Sequence, residues 1–288
     1  MTALVFMTNK ATCEVMDRFA QIHAQTHQQA DSFVLLDAGA DGAEVVWRAY
    51  LLEHGMQSVR LIPFVFRQIV SELGIVPLVE GRIVPGSVHM PLVLLARGLS
   101  HEQFWFVEDD VLYTGNWGEL IGMLESDNSD LLCSHICSRK QRPHWPLWQS
   151  LKIPKSGNHM QPAIPIHKAF LPIFRASSRA LVKLLEHQKA GWVGHFEALF
   201  PTILYHVGYS VRDLNDAARC VIYTKGPMEL GDGEGNLSSL RFRPPIADAE
   251  IQTSQGPRIF HPIKPAPKPT HAAARFIIGI RATDPSEA

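Results

Sequence analysis

The chain has 288 residues, 46% of them hydrophobic, and 27 Lys and Arg stand against 28 Asp and Glu for a formal net charge of -1. That length and apolar fraction suffice to bury a substantial core, in one large domain or two. So small a net charge gives no global field to hold a polyanion or an anionic membrane surface, which argues against nucleic acid as a partner.

The apolar run "ALVFMT" (3–8) predicts a strand. "NKATCEVMDRFAQIHAQTH" (9–27) predicts a helix, because Val15, Met16, Phe19, Ile22 and His23 fall at helical spacing. "SFVLLDAG" (32–39) predicts a second strand ending in Asp37 and glycine. Strand, helix and strand at this interval mark a βαβ unit and a parallel sheet. "AEVVWRAYLLEHG" (43–55) predicts a helix closed by Gly55. "PGSVHMPLVLLARGL" (85–99) predicts another, with Ser87 as N-cap, leading into the strand "FWFVED". Next come a helix over "NWGELIGMLES" and a strand over "SDLLCSHI". From Gln141 to Pro172 the chain is dense in Pro, His and Trp and reads as a long irregular segment, a lid or binding loop rather than a core element. "SSRALVKLLEHQKAG" (177–191) predicts an amphipathic helix with Ser177 or Ser178 as cap and Gly191 as stop, and "GHFEALFPTILYHVG" a further short helix. Beyond it come a glycine-rich turn, "GDGEG" (231–235), and an extended proline-rich stretch, "HPIKPAPKPTH" (261–271), and the sequence contains no internal repeat.

The four cysteines are few for the length, no stretch approaches the roughly 20 apolar residues of a membrane span, and no signal-like segment opens the sequence. The expectation is a reducing, cytoplasmic compartment without disulfides. Cys133 and Cys137 fall on one predicted strand about 13 Å apart, which suits buried thiols rather than a metal clip.

The stretch "HEQFWFVEDDVLYTGNW" (101–117) runs a buried-looking strand directly into Glu108, Asp109 and Asp110. Adjacent carboxylates repel, and removing them from water costs several kcal/mol each unless a cation or many donors compensate. A solvated acidic turn is the ordinary reading of a charge run. The flanking aromatic and β-branched residues favour a divalent cation site at the carboxyl end of a central strand, where open α/β sheets bind ligands. Hard oxygen ligands there suit Mg²⁺ or Mn²⁺.

"FWFVEDDVLYTGNW" resembles the acidic DxD signature of GT-A-fold glycosyltransferases, in the E-D-D form of N-acetylglucosaminyltransferase-I-like and fringe-like enzymes. The order of "TNK", Asp37, the acidic strand, "GHFEALFPT" and "HPIK" matches as well, so the resemblance covers most of 1–264. It implies an α/β fold in a single domain, with a Rossmann-like, mostly parallel central sheet flanked by helices. Residues 1–110 would be the nucleotide-sugar half, 111–264 the acceptor half, and 265–288 a proline-rich tail. It further implies Asp110 as metal ligand, Asp109 and Glu108 facing the nucleotide sugar, and Thr8, Asn9 and Asp37 at the nucleotide. "AGADGA" (38–43) is not a dinucleotide fingerprint.

Glu197 lies in "GWVGHFEALFPTI", where the residues leave open a helix-surface glutamate or a carboxylate raised in pKa by an apolar pocket. The resemblance implies the latter, the acidic residue that deprotonates the acceptor in inverting enzymes. The final Asp of that family pattern is replaced by Ala198, and His195 is the alternative base. His261 in "IFHPIK" is structural or a ligand; the resemblance places it on the metal, with Lys264 meeting a phosphate. Arg175 or Ser177 could face the acceptor, although a helix cap explains the serine equally.

The implied activity is metal-dependent transfer of a hexose from a nucleotide-diphospho-sugar to the hydroxyl of a saccharide or glycolipid acceptor, with inversion, Mn²⁺ or Mg²⁺ as cofactor, and a place in polysaccharide assembly. Peripheral membrane association is compatible with it. The alternatives are a metal-dependent nucleotidyltransferase or phosphohydrolase, and a non-catalytic sugar-nucleotide-binding domain.

Overall fold

The computed structural model describes residues 1–38, 42–154, 164–230 and 236–264. β1 (Thr2–Thr8), α1 (Cys13–Thr26), β2 (Ala30–Asp37), α2 (Ala43–Glu53), β3 (Arg60–Phe64), α3 (Phe66–Leu73) and α4 (His89–Arg97) lead to β4 (Gln103–Glu108). After it come β5 (Leu112–Tyr113), α5 (Trp117–Met123), β6 (Leu131–Ser138), β7 (His167–Ser177), α6 (Ser178–Lys189) and α7 (Phe196–His206). β8 (Val211–Asp213), α8 (Leu214–Ala218), α9 (Asp248–Gln252) and β9 (Ile259–Phe260) complete the order. Seven strands form one sheet, β3-β2-β1-β4-β7-β6-β8, and β5 pairs with β9. All ladders of the large sheet are parallel except the two made by β7, which runs against β4 and β6. This is the mostly parallel, helix-flanked α/β sheet that the sequence predicts.

Alternation along the strands builds two apolar layers, which is why the strands read as continuous apolar runs. Val5, Phe33, Phe104 and Phe106 point to the side covered by α3, α4, α6 and α7. Leu4, Phe6, Val34, Trp105 and Val107 point to the side of α1, α2 and α5. Phe6, Phe19 and Trp47 interlock on the second side, with Phe19 at 5.4 Å from Phe6 and 5.7 Å from Trp47 between ring centres. On the first, Phe106 stacks on Phe174 at 5.0 Å.

The largest correction to the sequence reading is β7. Residues 167–172 were expected in the irregular segment, yet β7 lies between β4 and β6 and is buried from Lys168 to Ser177. Pro172, which has no N–H to donate, falls where β6 pairs irregularly, between the Ser134–Phe170 and Leu132–Arg175 partners. A second correction concerns Ser87, which is buried in a 3₁₀ turn and does not cap α4; that helix has Val88 at its N-cap and no side-chain cap bond. Ser177 does cap α6, accepting from the Ala180 N–H at 3.2 Å, and Gly191 turns the chain after it with φ +92°. All four cysteines are free thiols. No helix among the described residues is long and apolar enough to cross a membrane. The "GDGEG" turn, the proline-rich tail, residues 155–163 of the irregular segment and 39–41 of "AGADGA" lie outside the described residues.

Arg175 is not offered to an acceptor either. It is 2% exposed at the far end of β7, where its guanidinium donates to the carbonyls of Leu124, Asp127 and Ser129 and to Asp127 Oδ1 at 3.0 Å. Arg175→Leu should therefore destabilise the protein by on the order of 3 kcal/mol, because it leaves three buried carbonyls without a donor and takes from Asp127 one of its two guanidinium partners, the other being Arg212. Urea denaturation measures this. Unchanged stability with a raised acceptor KM would return Arg175 to the acceptor side.

Candidate active site

β1, β2 and β4 end along one edge of the sheet, Thr8 level with Leu36 and Met7 with Glu108. Glu108 closes β4, and Asp109 and Asp110 form the turn that follows. The β5–β9 ladder, with Leu112 opposite Phe260, then returns the C-terminal segment beside this turn. The Ile263 N–H donates to the Asp110 carbonyl at 2.8 Å. As a result His261 Nε2 stands 3.2 Å from Asp110 Oδ1 and 3.8 Å from Glu108 Oε2.

Its other ring nitrogen, Nδ1, is 2.8 Å from the Arg241 carbonyl, which can only accept, so Nδ1 carries a proton. In the neutral ring, Nε2 then turns a lone pair toward the two carboxylates, the orientation a metal-binding histidine needs. One ligand atom from each of Glu108, Asp110 and His261 lies within 4.8 Å of the others. Burial would push the Asp110 carboxyl up, but His261 and Lys264 outweigh it and hold the pKa at about 2. Glu108 is driven well above the usual carboxylate range, first by burial and then by the charges of Asp110, Glu197 and Asp109. With 30% of its side chain exposed, it sits at the mouth of the cluster. Two carboxylates and an imidazole, one carboxylate raised by burial and by its acidic neighbours, are a donor set that fits Mn²⁺ or Mg²⁺. Lys264, 3.3 Å from Asp110 Oδ2 and about half exposed, neutralises only part of it.

Asp109 turns the other way, toward the loop after β1. Its carboxylate accepts from Thr8 Oγ1 at 2.6 Å and Lys10 Nζ at 2.7 Å, and Arg18 donates to its carbonyl. Trp47 Nε1 donates to the Lys10 carbonyl at 2.8 Å, so α2 fixes the same loop. Thr8 is thus a buried brace, Asn9 is exposed beside it, and Asp37 ends the neighbouring strand. Arg18 escaped the sequence reading because a cation on the polar face of a helix looks like any solvated charge.

Glu197 begins α7, which packs on β7. Its Oε1 accepts from the Leu171 N–H at 3.4 Å, and 18% of its side chain is exposed. Burial raises its pKa to about 7, while Lys168 and the Leu171 N–H oppose the rise. His195 is the N-cap of α7, its Nδ1 3.9 Å from Glu197 Oε2; burial and then Lys168 push its pKa down to about 4. A Cβ on Gly86 would lie 2.6 Å from the His195 ring, so that glycine lets the 3₁₀ turn close on it. The charge of Glu197 is among those that raise Glu108, after burial and Asp110, so α7 brings this carboxyl within electrostatic reach of the acid cluster.

No family model and no curated protein matches the chain. Among solved structures it is similar to the galactosyltransferase LgtC in complex with donor and acceptor sugar analogues, at 12% identity over 74% of this chain and 73% of that one, with a TM-score of 0.43. It is similar to glucosyl-3-phosphoglycerate synthase from Mycobacterium tuberculosis in complex with Mn²⁺, UDP and phosphoglyceric acid, at 16% identity over 74% and 67%, TM-score 0.42. A mannosyltransferase from Pyrobaculum calidifontis in complex with GDP-Man and Mn²⁺ shares 13% identity over 74% of this chain and 54% of its own, TM-score 0.42. Likeness at this level carries no argument about chemistry, which rests here on the geometry of the site.

Proposed function

We propose that the protein is a divalent-metal-dependent glycosyltransferase of the GT-A kind, moving a hexose from a nucleotide-diphospho-sugar to an acceptor hydroxyl with inversion. The observation that supports this best is the cluster of Glu108, Asp110 and His261, with ligand atoms within 4.8 Å, at the carboxyl end of β4 and opposite a glutamate whose pKa is raised to about 7.

In this reading Asp110 and His261 hold Mn²⁺ or Mg²⁺, with Glu108 at the rim toward the donor sugar. The bound cation supplies charge neutralisation for the departing diphosphate. Thr8, Asn9, Asp37 and Asp109 shape the nucleotide pocket, Asp109 by fixing the β1 loop through Lys10 and Thr8. Lys264 Nζ, now 3.3 Å from Asp110 Oδ2, is the side chain free to swing onto a phosphate. Glu197 accepts the proton of the attacking hydroxyl; at a pKa of about 7 its basic form is abundant near neutrality yet basic enough to take that proton. His195 is the second candidate for that step.

Thermal stabilisation by UDP-, GDP- and CMP-linked sugars, with and without Mn²⁺, tests the reading. One diphosphate class should raise the melting temperature by several degrees only when Mn²⁺ is present. If neither the UDP- nor the GDP-linked sugars do so, or if only the CMP-linked monophosphate does, the assignment is wrong.

A further inference from the structure

Near Glu197 the surroundings turn basic. Lys168, on β7, is 3% exposed and makes no hydrogen bond or ion pair among the described residues. Its ammonium rests 5.1 Å from the centre of the Trp145 ring. A lysine this buried without a hydrogen-bonded partner is rare, since burial disfavours its charge. Burial does push its pKa down, and the nearby Cys137 and Glu197 only partly oppose this.

Beside it opens a cavity of about 380 Å³, lined by His135, Arg142, Asp213, Tyr223 and Lys225 among others. The carboxylate in that lining is already engaged. Asp213 accepts from the Tyr223 hydroxyl at 2.6 Å and from the Asn215 N–H at 2.9 Å, and Lys225 stands off at 3.6 Å. Arg142 is exposed and its guanidinium has no carboxylate partner among the described residues. His135 feels Lys168, Lys225 and Arg142 together, so three cations surround one ring. That residue holds a left-handed backbone, φ 52°, which a non-glycine residue adopts at some cost and which is found most often near functional sites. A single ring joins the cavity to the acid cluster: Phe170 lies 6.0 Å from His135 and 5.3 Å from His261.

We propose that Lys168, Arg142 and Lys225 hold an anionic group of the acceptor, so that the acceptor is an acidic saccharide bearing a phosphate or carboxylate near the hydroxyl offered to Glu197. This rests on the transferase reading. The donor diphosphate is not the anion concerned, because the donor edge has its own cations, Lys10, Arg18 and Lys264, set against Asp109 and Asp110. A flat membrane surface is not the partner either. Lys168 is buried, so only a group that enters the site can reach it, and what it lacks is a hydrogen-bonding counter-charge, which a phosphate or carboxylate provides.

Calorimetric titration of the full-length protein with glucose 6-phosphate, glucuronate and methyl glucoside tests the proposal. One of the two anionic sugars should bind about tenfold or more tightly than methyl glucoside, as expected for charge-assisted hydrogen bonds, and which one it is separates phosphate from carboxylate. The preference should vanish in Lys168→Met, and also in the double variant Arg142→Ala with Lys225→Ala, both exposed sites whose truncation leaves the fold intact. Equal binding of all three sugars, or a preference that survives in both variants, overturns it. UDP and GDP titrations with Mn²⁺ on the same preparations separate the two readings. Mn²⁺-dependent nucleotide binding without an anion preference refutes the acidic acceptor alone. An anion preference without any nucleotide binding refutes the transferase reading, and the acceptor assignment with it.

Discussion

Asp110→Asn is expected to lower turnover by about 10³-fold or more, the scale on which electrostatic stabilisation of a leaving group acts, and to remove the Mn²⁺-dependent part of donor binding. The amide keeps the size and one oxygen of the carboxylate but loses the charge, which leaves Glu108 as the one carboxylate of the cluster beside His261. The fold should survive. A pKa held at about 2 means that the Asp110 carboxylate contributes stability above its unfolded value, lost as pH falls toward 2. Removing it costs on the order of 2 kcal/mol at neutral pH, a tolerable fraction of a protein's stability. Calorimetry of donor binding with and without Mn²⁺, alongside circular dichroism, reads both effects. Full activity of the wild-type protein in EDTA would sink the metal assignment.

Glu197→Gln should leave donor binding near normal and slow the chemical step by about 10²- to 10⁴-fold, the usual consequence of removing a general base. The wild-type rate should rise as pH increases through about 7, where Glu197 ionises, and this limb should be missing from the variant. The same shift has a second readout. Because the folded pKa lies above the unfolded one, protonation stabilises the native state, and that stability is full below the unfolded value and lost as pH rises through about 7. The glutamine cannot ionise, so the variant should gain thermal stability relative to wild type at pH 8 but not at pH 4. If Glu197→Gln keeps the wild-type rate while His195→Ala is dead, the proton goes to His195, whose pKa near 4 leaves it neutral at working pH. If both variants remain active, the reaction retains configuration or uses a base elsewhere.

Much of this site was readable before folding because its charges violate their surroundings. Three carboxylates after "FWFV" are conspicuous in a way that no solvated charge is, and they point to the edge of the sheet where Glu108, Asp110 and His261 cluster. His261 was harder, since its meaning depends on the β5–β9 ladder, two short strands joined across 145 intervening residues between Tyr113 and Ile259. Lys168 was invisible for another reason. Pro165, Pro172 and the histidines around them mask the strand, because proline counts against a central strand unless the ladder beside it is broken, and that break lies in β6, far away in sequence. β3 and α3, "RLIPF" and "FRQIVSEL", went unassigned too, the strand for the same reason: Pro63 lies on an edge strand, where the missing donor faces no neighbour.

The reversed strand also sets an order of events during synthesis. β4 carries the acidic turn, and its neighbour on one side, β1, is made early; its neighbour on the other, β7, begins at His167, well after Glu108 leaves the ribosome. Until then the strand at the heart of the site presents a row of unpaired backbone donors and acceptors flanked by Phe104 and Phe106, the kind of edge that templates aggregation. A nascent or truncated chain ending before residue 167 is therefore the form of this protein most in need of a chaperone, and a split of the gene between the two halves would put its break across that unprotected edge.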